Sequence, residues 1–214
     1  SQDVDTYYFG DGFNGSFDLW DRSFAWDVNG IYSDNEQLDV TLGQFNRNQL
    51  ALGLGPSFIA ADGTPTCGTA AAPIAGCVPI NLFQGPDGFT QEMVDFASVN
   101  LKDQTQKELY NYTANITGDI FELPAGPLGF AAGYEYRREQ GFFLPDAITA
   151  SGATTGNAAQ PTAGGFSLDE FYAEFNIPIL KDLAFAQVLE FSVAAGSLDN
   201  TNFGHTTNPN AGVH

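Results

Sequence analysis

Tyr7-Tyr8-Phe9-Gly10-Asp11-Gly12-Phe13-Asn14-Gly15-Ser16-Phe17-Asp18-Leu19 is the stretch whose periodicity decides the fold. Tyr7, Phe9, Phe13, Phe17 and Leu19 occupy odd positions, interrupted by Asp11 and Gly15, and Tyr8, Gly10, Gly12, Asn14, Ser16 and Asp18 occupy even ones. Successive side chains of an extended chain point to opposite sides, so this period of two separates an aromatic side from a small, polar one. A helix would need apolar residues three and four apart, and no long window supplies them. Even the long run without Gly or Pro near Gln91–Asn115 reads as alternating.

The same rhythm extends outward. After a short polar connection at Trp20–Ser23, Phe24, Trp26, Val28 and Tyr32 alternate with Ala25, Asp27, Asn29 and Ser33, and the pattern continues through Leu38, Val40 and Leu42. It resumes where Tyr110, Tyr112, Ala114, Ile116 and Ile120 alternate with Asn111, Thr113, Asn115, Thr117 and Asp119. Leu128, Phe130, Ala132, Tyr134 and Tyr136 then alternate with Ala131, Gly133, Glu135 and Arg137. Two further stretches carry Phe171, Ala173, Phe175, Ile177 and then Leu189, Phe191, Val193, Ala195 against polar or small partners. The predicted strands are about 6–20, 24–42, 100–121, 128–139, 166–177 and 188–196, in one domain over 1–214.

The connections run short, long, short, long, short. Short turns fall near 20–23, 122–127 and 178–187; the irregular loops are about 43–99 and 140–165, rich in turn dipeptides such as Gly55-Pro56 and Asp62-Gly63. Long loops sorted to one end are foreign to a compact soluble domain. They are ordinary for an outer-membrane barrel, whose periplasmic turns are short and extracellular loops long. On that reading the aromatic side meets lipid, with girdles near the strand ends, and the polar side lines a wet lumen. Asn111, Thr113, Asn115, Glu135 and Arg137 are the candidate lumen-facing ligand contacts.

The 214 residues hold 7 Lys+Arg against 26 Asp+Glu, a formal net charge of -19. That balance argues against nucleic acid, which requires clustered cations, and against adsorption to anionic lipid heads. No run of about 18 apolar residues suggests a membrane-spanning helix, and Ser1-Gln2-Asp3-Val4-Asp5 lacks the character of a signal peptide. Cys67 and Cys77 sit in a Pro/Ala/Gly-rich segment without further ligands nearby, which predicts a disulfide formed in an oxidising compartment rather than a metal site.

Nothing points to catalysis. The pairs Glu135/Glu139 and Glu170/Glu174 share a face at strand spacing, yet no nucleophile or oxyanion element accompanies them. His205 and His214 read as residues of an exposed tail. Asp34-Asn35-Glu36 and Asp199-Asn200 with Asn202 read as surface turns, with weak calcium binding as the sharper alternative. Gly53-Leu54-Gly55-Pro56 lacks the Lys of a phosphate loop. The glycosylation tripeptides at Asn14, Asn111 and Asn115 fall inside predicted strands. No cofactor and no metal is expected.

The segments Asn111–Asp119, Leu123–Arg137 and Glu170–Leu180 resemble the mid-barrel hairpins of TonB-dependent outer-membrane receptors, and the Cys67…Cys77-Val78-Pro79-Ile80-Asn81-Leu82-Phe83 loop is similar to that group. The resemblance spans most of Ser1 to about Val193. It implies a barrel of about 22 strands around an N-terminal plug. It implies import of a scarce ligand (ferric siderophore, cobalamin or oligosaccharide) on energy delivered through TonB. These residues include no plug and no TonB-binding segment. Gly196-Ser197-Leu198-Asp199-Asn200 breaks the alternation, and Asn210–His214 lacks a closing aromatic strand. The expected fold is therefore an all-β, antiparallel up-and-down meander, a fragment of a large transmembrane β-barrel. Its expected partners are outer-membrane lipid, the rest of the receptor chain and, through the plug, the TonB system. Two alternatives stand beside it. One is an extracellular cross-β fibril self-associating through open strand edges; the other is a soluble carbohydrate-binding domain using Trp20, Trp26 and Tyr32.

Overall fold

The structure, a computed structural model, describes residues 1–183 and 186–214. Its chain order is β1 (Gln2–Leu19), β2 (Arg22–Phe45), α1 (Arg47–Gly53), β3 (Ser57–Ile59), β4 (Pro65–Thr69), β5 (Ala72–Pro73), α2 (Gln91–Ala97), β6 (Ser98–Leu123), β7 (Gly126–Leu144), α3 (Ala147–Ala150), β8 (Thr162–Leu183), β9 (Ala186–Asn200) and β10 (Gly204–Val213). The protein is all-β with an antiparallel meander: one sheet runs β1-β2-β6-β7-β8-β9-β10, and β3-β4-β5 form a small second sheet. The large sheet does not close, and β1 and β10 are its edges.

The β1–β2 hairpin shows how local chemistry sets the register. Trp20 and Asp21 have φ of 53° and 59°, the left-handed pair that a two-residue hairpin turn needs to match strand twist. Arg22 and Ser23, expected in the connection, are already strand. Three contacts mark the register from there. Phe17 stacks on Phe24 at 5.5 Å, Asn35 Nδ2 donates to Thr6 Oγ1 at 2.7 Å, and Val40 N donates to Ser1 O at 2.8 Å. The β8–β9 ladder carries one irregularity, between Pro178 and Leu180. The connection expected over 178–187 is mostly strand, with Leu183 opposite Ala186, and its Ala184-Phe185 lies outside the described residues.

Several sequence expectations are corrected. Gly196–Asn200 does not end the sheet: β9 continues to Asn200, and Gly204–Val213 pairs with it from Gly204↔Asn200 to Val213↔Phe191. His205 therefore belongs to an edge strand and not to a tail, and His214 exchanges backbone hydrogen bonds with Glu190. The connection to β10, Thr201–Phe203, is short. Asp34-Asn35-Glu36 lies inside β2 and not in a turn. Gln91–Ala97 is helical, because Thr90 caps it by accepting from Met93 N, and the chain turns extended again at Ser98. The 43–99 and 140–165 loops are ordered, holding α1, β3–β5, α2, α3 and the ends of the long strands.

Two compact units divide the chain. One comprises Ser1–Asp5, Glu36–Gln106 and Phe142–Thr162. The apolar side chains buried among the described residues, Cys67, Ile80, Ala97 and Leu101, all belong to it. Cys67 and Cys77 form the expected disulfide, Cα atoms 5.9 Å apart. Gly53 lets α1 approach the following loop: a Cβ there would lie 2.8 Å from Val78 O and 2.9 Å from Ile80. Backbone bonds Asn46 N to Ala97 O (2.8 Å) and Arg47 N to Ala153 O (2.7 Å) clasp the two excursions together. Asp146 accepts from Ile148 N and Lys102 N, capping α3 and tying it to β6.

A turn in this unit titrates. Asp62 accepts from Thr64 Oγ1 (2.6 Å) and Thr64 N (3.0 Å), which together hold its carboxyl below its ordinary value of 3.8. A depressed carboxylate supports structure that is present above its unfolded pKa and lost as pH falls through the folded one. The Thr64 amide resonance should thus shift with a midpoint below the ordinary aspartate value of 3.8. In Asp62→Asn the shift should vanish.

The other unit comprises Thr6–Asn35, Lys107–Gly141 and Ala163–His214. Among its described residues only Asp34 and Asn200 are buried. It is a single ribbon with both faces open.

Candidate functional site: the two faces of the ribbon

Alternation in the strands, joined by the observed contacts, assigns the described strand side chains of the second unit to one of two faces. The first face is aromatic and aliphatic. Across it Tyr32 meets Tyr110, Tyr112 meets Tyr136, Tyr134 meets Phe171 and Phe130 meets Phe175, with ring centroids 4.6 to 6.4 Å apart. Glycines on this face are covered by neighbouring rings: Trp26 lies over Gly15, Tyr112 over Gly30 and Phe24 over Gly118. Such pairs return packing to positions without a side chain.

No described residue of the unit covers this face. Phe9 is 66% exposed, Phe13 65% and Phe171 59%. A second layer over these rings is absent among the described residues.

The apolar face has chemical borders. Toward the ends of the strands remote from the hairpin turns, tyrosine hydroxyls donate to carboxylates: Tyr110 to Glu108 at 3.0 Å, Tyr32 to Glu108 at 3.3 Å and Tyr134 to Asp169 at 2.5 Å. At the turn end Arg22 pairs with Glu122 at 3.0 Å. Phe24 to Tyr32 on β2 covers about 26 Å along the strand. At a tilt of about 40° that is about 20 Å of depth, close to the apolar band of a membrane barrel.

The second face gathers the five predicted lumen residues. Asn111, Thr113 and Asn115 lie on β6, Glu135 and Arg137 on β7. Asn111 Nδ2 donates to Glu135 Oε1 at 2.6 Å. Asn115 Nδ2 and Asn29 Nδ2 both donate to Asp27 Oδ2, at 2.8 and 2.7 Å, and Asn29 Nδ2 also approaches Thr113 Oγ1 at 3.3 Å. Arg137 pairs with Glu139 and not with Glu135. Among the described residues no group of three or more His, Cys, Asp or Glu is arranged to hold a metal.

Sequence reasoning missed Asp27, Asn29 and Tyr172 as members of this network. Tyr172 OH donates to Asn115 Oδ1 at 3.0 Å, reaching from β8 to β6 across the intervening strand. It can do so because β7 has Gly133 there: a Cβ at that position would overlap both the Tyr172 ring and Asn115 Oδ1. An aromatic in polar register was the one available signal, since the reach depends on pairing between strands. Gly133→Val should displace Tyr172 and destabilise the sheet by about 1–3 kcal/mol, as overpacking does. Denaturant titration would register the loss, and Tyr172→Phe should recover none of it.

Compared with protein-family models, characterised proteins and solved structures, the chain finds no match. The fold and face chemistry alone define its class: an open antiparallel ribbon, apolar on one side and hydrogen-bonded polar on the other.

Proposed function

We propose that this chain is part of the wall of a TonB-dependent outer-membrane receptor, a transporter and not an enzyme. The observation that carries the reading is the uncovered aromatic face bordered by tyrosine–carboxylate pairs. In water those rings forfeit about 1.5–3 kcal/mol each relative to burial; lipid supplies what no protein layer does. The polar network on the other face then lines a wet passage, and the disulfide-stapled unit contributes external loops for capture of a scarce ligand. Lipid cannot hydrogen-bond an open strand edge, so β1 and β10 require neighbouring strands from the rest of the receptor.

Self-association through these edges is the second reading. Gln2–Leu19 contains no Pro, Lys or Arg, the residues that usually guard an edge. Against it, Glu190 and His214 exchange both backbone bonds, so the regular register points the nitrogen of Pro209 toward the open edge, where it cannot donate. The natural full-length protein, expressed in outer membranes, should migrate faster on gels unheated than boiled, the mark of a folded barrel. A soluble monomer needing no detergent would overturn the receptor reading, and a fibre repeat of about 4.7–4.8 Å would select self-association.

A further inference from the structure

The polar face has a hollow of about 600 Å³, within the range of small-molecule sites. Its lining includes Ser33, Asn35, Lys107, Arg137, Glu139 and Phe166. β7 and β8 carry Gly141, Gly164 and Gly165 at this level, and Gly164 faces the open space. A Cβ on Gly164 would meet nothing within 4 Å.

The acceptors here are already engaged. Glu139 accepts from Arg137, and Glu108, also in the lining, accepts from Tyr32, Tyr110 and Gln140. The donors are not. Lys107 is exposed and makes no hydrogen bond or ion pair with any described residue, and the Arg137 side chain, one nitrogen of which pairs with Glu139, is still 43% exposed. A chain with 26 acids and 7 Lys+Arg places two of its cations in one hollow and leaves their donors underused. Ammonium and guanidinium donors form their strongest hydrogen bonds with ionised oxygens.

We propose that this hollow binds a carboxylate-bearing small molecule, with Lys107 and Arg137 donating to the carboxylate and Phe166 packing on its carbon skeleton. This deepens the receptor reading and rests on it, because a wet polar face is the route to the hollow. The glycines set its size and the two cations its selectivity. The surrounding acidity repels anions at long range, so binding depends on the direct contacts and favours ligands that present several carboxylates.

The test uses the full-length protein in detergent, first shown to be folded by heat-modifiable migration, and titrates it calorimetrically with tricarballylate and, separately, its uncharged trimethyl ester. Saturable binding of the tricarboxylate is expected, at least about tenfold tighter than that of the ester. Lys107→Gln, which disturbs no contact, should weaken it about tenfold, and Gly164→Phe, which fills the hollow, should abolish it. Lys181→Gln, at the hairpin end of β8, should leave it unchanged. Absence of saturable binding to folded protein, equal affinity for the ester, or undiminished binding by Lys107→Gln would overturn the proposal and leave the receptor reading standing. Failure of the protein to fold as a barrel would instead remove the reading beneath it.

Discussion

Val28→Arg should destabilise the protein in lipid vesicles by about 2–4 kcal/mol, the cost of arginine near the bilayer midplane of a barrel wall. Val28 lies midway between Phe24 and Tyr32 on β2, the centre of the apolar band, and is 46% exposed in the protein alone. That exposure gives the experiment its force. In water an arginine at such a position changes stability by about 0.5 kcal/mol or less. Ala25→Arg, on the polar face of the same strand, should be within that limit in either medium. Urea unfolding of the full-length protein, compared between vesicles and lipid-free detergent, separates the two positions. Equal and small effects at Val28 and Ala25 would mean that the aromatic face does not meet lipid.

Removing the disulfide by Cys67→Ser with Cys77→Ser should cost about 2–3 kcal/mol by the chain-entropy argument for a loop of this size, with a sequence separation of 10 between the two cysteines. Cys67 is 1% exposed and stands in β4 opposite Ser57, so the bridge ties the small sheet to the segment leading to Ile80. The loss should therefore be local. Hydrogen exchange should accelerate in β3–β5 and around Gly53, whose carbonyl accepts from Ile80 N at 2.8 Å. Exchange in β6–β9 should not change. Proteolysis confined to residues 54–90 would give the same result by an independent route, whereas uniform acceleration across both sheets would show that the staple supports more than its own unit.

Much of the ribbon was legible because the pleat has a period of two. Phe171, Ala173, Phe175 and Ile177 could be placed on one face from spacing alone, and the structure puts Phe130 and Tyr134 against that same row. Gly204–Val213 was illegible for the converse reason. His-Thr-Thr-Asn-Pro-Asn has no apolar alternation, and it is a strand because β9 offers it a ladder. The helices α1 and α2 are seven residues each, too short for a helical stripe to emerge from the surrounding polar sequence. Their caps, Asn46 and Thr90, were the only local marks.

The all-β class, the two chemically distinct faces and the disulfide are written into the sequence. Each is a short-range property: alternation and two cysteines in one loop. The folded chain adds that no protein layer covers the aromatic face among the described residues, that Tyr172 crosses Gly133 to reach Asn115, and that Lys107 and Arg137 share one hollow. Those facts depend on register between strands remote in sequence, and register is a sum over many cross-strand contacts that no single stretch contains.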